Sequence, residues 1–115
     1  MSLHPTIPAS KVEGTAVYNL DGDKLGSIDD LVIDKRTGHV RYAALEFGGF
    51  LGIGTDRYPL PWHLLRYDTT KDGYVVNLDR DLLTDAPRYA RGTEPPQTDD
   101  YGRTVFGHYG FDWQS

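Results

Sequence analysis

The stretch SIDDLVIDKRTGHVRYAALEFGGFLGIGTDRYPLPWHLL, residues 27–65, decides how this chain is read. Inside it, GGFLGIG (48–54) places four glycines in seven residues. Such a loop either cradles a phosphate or lets a sheet bend. Gly49 to Gly54 matches the glycine frame of a P-loop, but Thr55-Asp56 follows where Lys and Ser or Thr are required. Asp56 would repel a phosphate. A dinucleotide fingerprint on Gly52 and Gly54 needs a third glycine at position 57, which is Arg57. No helical pattern follows to lend an N-terminal dipole. The loop therefore reads as a bend, its glycines supplying positive φ and close backbone approach. Neither a nucleotide nor any other cofactor is expected. Phe50, Leu51 and Ile53, set between the glycines, either fold over the end of the sheet or meet a partner.

Working outward, residues 39–47 alternate. Val40, Tyr42, Ala44 and Glu46 fall on one face, and Arg41, Ala43, Leu45 and Phe47 on the other. Apolar groups on both faces predict a central strand covered on both sides. Residues 25–34 form the preceding strand, with a break of phase at Asp29-Asp30 that predicts a bulge. The turn between them ends on Gly38, the position where a left-handed residue is wanted. Residues 57–61 carry Pro59 and Pro61 and predict an edge strand, because proline cannot donate to a ladder. Residues 62–65 are long enough for one helical turn, which Pro61 can open.

Residues 12–20 predict a first strand, closed by the Asp21-Gly22 turn. Extended structure resumes at 66–68, and residues 74–78 predict a last strand. A short helical piece over 80–86 is stopped by Pro87. Strands about eight to ten residues apart, with no long helical period, give an all-β barrel or sandwich. About 75 residues carry the pattern, too few for an immunoglobulin-like sandwich of about 100.

Composition narrows the function. Of 115 residues, 38% are hydrophobic and 25% charged, as in one soluble globular domain. With no cysteine there are no disulfides, thiolate metal sites or cysteine nucleophiles. A net charge of −5 disfavours direct nucleic-acid binding, which needs Lys and Arg to neutralise phosphates. No run reaches the roughly 18 apolar residues of a membrane span. The start lacks the basic and apolar regions of a secretory signal. A cytoplasmic protein is expected, with peripheral membrane association left open.

The turn DGDKLG followed by residues 27–65 resembles the PRC-barrel family. That family is named for the cytoplasmic domain of the photosynthetic reaction centre H subunit. It also includes the C-terminal domain of a ribosome maturation factor and small stand-alone proteins. The resemblance rests on Gly26 after Leu25, Asp29 and Asp34, Thr37-Gly38, the loop with Gly49, Gly52 and Gly54, and Pro61-Trp62. It spans about residues 11–87. It implies a small, partly open β-barrel of five to six strands with short helical turns, used for docking or assembly. The domain limits follow as an arm (1–11), the PRC barrel (12–87) and a C-terminal tail (88–115).

No constellation points firmly to catalysis. His4, His39, His63 and His108 show no chelating spacing, so no metal is expected. Asp21-Gly22-Asp23 starts like a calcium loop, but Leu25 and Val32 stand where ligands belong. Asp29, Asp30, Asp34 and Glu46 read as a solvated acidic face. The H-subunit resemblance offers them a second use, in proton handling. The tail carries six of the fourteen aromatics, and disordered tails are usually poor in them. Phe106, Tyr109, Phe111 and Trp113, with Val105, should dock on the chain's own barrel or on a second copy, with 92–100 mobile between anchors.

The chain is expected to be a non-catalytic docking module that forms a homodimer and meets a further protein. The alternatives are a small-ligand or proton site near Glu46, His39 and His63, as in electron-transfer complexes, or a ribosome-linked role through a ribosomal protein.

Overall fold

The structure is a computed structural model, and it describes residues 6–47 and 56–113. Six strands form one mixed sheet in the order β4-β3-β2-β1-β6-β5. They are β1 (Ala16–Tyr18), β2 (Lys24–Ile33), β3 (Val40–Phe47), β4 (Arg57–Pro61), β5 (Arg66–Asp68) and β6 (Gly73–Val75). All neighbours are antiparallel except β1 and β6. The sheet curls without closing, so the fold is mostly β, a small partly open barrel with few short helices. The helices are α1 (Ala9–Val12), α2 (Arg80–Thr84) and α3 (Asp99–His108), with a 3₁₀ turn at Trp62–Leu64.

The phase break in β2 is a bulge: Ile28 faces Leu45 and Asp30 faces Ala44, so Asp29 is the extra residue. A second irregularity leaves Arg41 of β3 unmatched between Tyr42 and Val40. β3 lies between β2 and β4, and Tyr42, Ala43, Ala44 and Leu45 are all buried. Directly opposed residues share a face. The register therefore puts Ile28, Leu31, Ala43, Leu45, Tyr58 and Leu60 on one side. Val32, Tyr42, Ala44, Pro59 and Pro61 lie on the other.

β4 is an edge strand, as its prolines require, and Pro59 and Pro61 are fully buried. Its free side is blunted by one bridge: the Arg57 and Tyr89 amides donate to each other's carbonyls at 2.8 and 2.9 Å. Covering an edge in this way protects it from chance pairing.

Several details differ from the sequence pattern. The first strand is three residues rather than nine, because Ala9–Val12 coils into a helical turn that buries Val12. The last strand starts at Gly73 and ends at Val75. Trp62, after Pro61, is half-buried, its ring edge-on to Tyr74 at 5.7 Å. The largest difference is in the tail, where Asp99–His108 form a ten-residue helix that the sequence pattern does not predict.

Gly26 shows why glycine is needed in β2. A Cβ there would overlap the Glu46 carbonyl oxygen and lie 3.3 Å from Leu45 Cδ1. Backbone cannot yield as a flexible side chain does, so Gly26→Ala should lose about 2–3 kcal/mol. Urea unfolding measures this, and a loss under about 0.5 kcal/mol would show that β2 and β3 have room to separate.

Candidate functional site

Four surfaces bear on function: the outer flank of β2, the groove beside it, the histidine groove, and the face under α3. β1 pairs with β2 only through Ser27. Two further bonds carry the pairing to Ile28, from Gly14 N–H to the Ile28 carbonyl and from Ile28 N–H to the Thr15 carbonyl. Beyond that point, among the described residues, 29–33 of β2 have a strand on one side only. Ile33 there is 49% exposed, and Leu31 and Val32 are half-buried. An open groove of about 490 Å³ runs beside this flank, lined by 30–36, 94–99, Arg41, Tyr42 and Trp113.

The acidic set is dispersed along β2 and β3. Asp29, on the bulge, accepts from buried Arg57 at 2.6 Å. Asp30 accepts from the Leu31 amide at 2.9 Å. Asp34 meets Arg36 at 3.1 Å and Arg41 at 3.5 Å. Its hydrogen bonds with the Arg36 side chain and amide hold its pKa down at about 2. A carboxylate so strongly held as an anion is poorly suited to carry protons near neutrality.

The trio Glu46, His39 and His63 does not assemble. His39 and His63 line one shallow groove of about 350 Å³ with Arg41, Trp62, Phe106 and Asp112. Glu46 lies seven residues along the strand from His39, roughly 23 Å away at strand rise. Among the described residues no group of three His, Asp or Glu could hold a metal ion.

The tail packs on its own barrel. Thr98 caps α3 by accepting from the Tyr101 amide at 3.1 Å, and Asp99 and Asp100 sit in the first turn. Val105, Phe106 and Tyr109 are buried in the chain's own core. Phe106 meets Tyr42 edge-on at 5.8 Å. Trp113 folds back, stacks on Tyr42 at 6.0 Å and donates to Asp99 Oδ1 at 3.0 Å. Arg41 lies 3.8 Å from the centre of the Trp113 ring. Phe111 remains 37% exposed, edge-on to His63 at 4.3 Å. Phe50, Leu51, Ile53, Gly49, Gly52 and Gly54 lie outside the described residues.

A sequence profile of the PRC-barrel domain matches residues 4–83. The chain belongs to the PRC-barrel family. It is also similar to a protein of Deinococcus radiodurans described as an uncharacterized protein. The two are 28% identical over 93 residues, covering 76% of this chain and 32% of that protein's length. The PRC-barrel match ends at residue 83, so Tyr89, α3 and Trp113 lie beyond the matched residues. No helix among the described residues is long and apolar enough to cross a membrane.

Sequence reasoning missed both the β2 flank and α3. The α3 signals are present: Thr98 with two aspartates, apolar residues at 101, 105, 106 and 109, and Gly110 at φ +84° past the end. Gly102 and Gly107 hide them, since glycine lowers helix propensity.

Burial raises four phenols. Tyr42, Tyr89 and Tyr101 are pushed up to about 12, and Tyr109 is pushed up further. The unfolded value lies near 10, so the folded state favours the neutral phenol. Stability is complete below about pH 10 and falls as pH rises through about 12. Phenolate absorbance should therefore rise together with loss of circular dichroism between those limits. Titration of all eight tyrosines near pH 10 with the fold intact would contradict this packing.

Proposed function

We propose that this PRC-barrel protein is an assembly module without catalysis of its own, working through strand addition at the β2 flank. The observation that carries the reading is the strand edge at 29–33, apolar at Leu31, Val32 and Ile33 and open on one side among the described residues. An extended chain laid there gains main-chain hydrogen bonds, and alternate side chains can enter the neighbouring groove. Such edges are normally blunted, as β4 is here, and one left open is available for pairing.

The simplest occupant is a second copy, since two-fold dimers are the commonest closed assembly. Antiparallel pairing about Val32 would set Leu31 against Ile33 of the other copy. Asp30 would then stand opposite Asp34, whose charge is already answered by Arg36 and Arg41. The tail offers less for such pairing, since Phe106 and Tyr109 are buried in the chain's own core while Phe111 remains exposed.

Sedimentation of the full chain at about 100 μM should show a dimer, as an interaction of about 5–6 kcal/mol would. Ile33→Lys, at an exposed edge position, should return it to monomer without loss of fold. A wild-type monomer at that concentration removes self-pairing. A dimer unchanged by Ile33→Lys moves the interface away from β2.

A further inference from the structure

α3 covers part of the core but is held by opposing forces. Val105, Phe106 and Tyr109 pull it down through apolar burial. Trp113 clasps it from outside, lying so close over Gly102 that a Cβ there would overlap the ring. Against this, the hydroxyls of Tyr101 and Tyr109 are buried with no hydrogen-bond partner among the described residues. A buried hydroxyl without a partner disfavours the docked state, because undocking returns it to water. The helix is ten residues long with glycines at 102 and 107, too short and too weak to persist alone. The lead-in is an exposed stretch, with residues 94–97 in no helix or strand and one turn bond from the Thr93 amide to the Ala90 carbonyl. All of it lies beyond the matched domain.

We propose that α3 and Trp113 form a latch that opens as a unit while the six-stranded sheet stays folded, with the Tyr101 and Tyr109 hydroxyls setting how readily it opens. Opening uncovers the Tyr42 ring, on the sheet face that also carries Pro61, and takes Phe106 off His63 and Trp113 off the Arg41 guanidinium.

His108 supplies a polar tie at the far end of the helix, its Nε2 lying 2.9 Å from the Leu82 carbonyl. The Tyr89–Arg57 bridge stays closed when the latch opens, because it precedes the exposed lead-in. The moving piece therefore begins after residue 90.

Native-state hydrogen exchange on the full chain, without any partner, tests the latch. Amides of 102–109 should exchange at least about tenfold faster than those of Ala43, Ala44 and Leu45, through an opening of smaller denaturant dependence. The double variant Tyr101→Phe, Tyr109→Phe should slow α3 exchange by roughly tenfold or more and leave the ratio among the β3 amides unchanged. Two results overturn the proposal. One is α3 and β3 amides exchanging together with the same denaturant dependence. The other is phenylalanine variants whose α3 exchange is unchanged or faster, which would mean that the hydroxyls hold the helix down.

Discussion

β3 needs covering on both faces, and the rest of the structure follows from that need. Tyr42, Ala43, Ala44 and Leu45 are buried in succession, so neither side of the strand can face water. β2 and β4 satisfy its backbone on either hand. The curled sheet, with Val17, Ile28, Val76 and Leu83, completes the main core. The side carrying Tyr42 meets α3 through Phe106 and Trp113. Fully burying one large apolar side chain stabilises by about 1.5–3 kcal/mol, so three such residues on α3 outweigh the weak intrinsic helix.

The sheet's edges are treated unequally. β4 is closed off by two prolines and the Tyr89 bridge, and its buried Arg57 is answered by Asp29 on the β2 bulge. The bulge does two things at once. It turns Asp29 toward Arg57, and it falls where β2 runs on past its β1 partner. Among the described residues, the flank that results has a strand on one side only.

Much of the barrel was legible because its signals are local. The bulge was readable from one broken alternation at Asp29-Asp30, the central strand from apolar groups on both faces, and the edge strand from Pro59 and Pro61. Gly38 stood where a positive φ was wanted, and its φ is +81°. α3 was illegible for a tertiary reason. Gly102 looks like a helix breaker in sequence, yet it makes room for Trp113 eleven residues later. The destination of Phe106 and Tyr109 was equally hidden, since an aromatic tail fits its own barrel or another copy equally well on paper. The β2 flank was missed because it depends on how short β1 is, and strand ends are weakly encoded. The separation of Glu46 from His39 and His63 follows from strand rise once the pairing is known.

The central claim is that the second face of β3 is covered by the same chain's own tail. Nuclear Overhauser contacts from the Tyr42 ring to Phe106 and Trp113 test it directly. They should be collected on labelled protein diluted into excess unlabelled protein, which suppresses contacts between copies. The account predicts that these contacts keep full strength on dilution, at ring separations near 6 Å. Contacts that vanish on dilution, or that appear only between labelled and unlabelled chains, would contradict it.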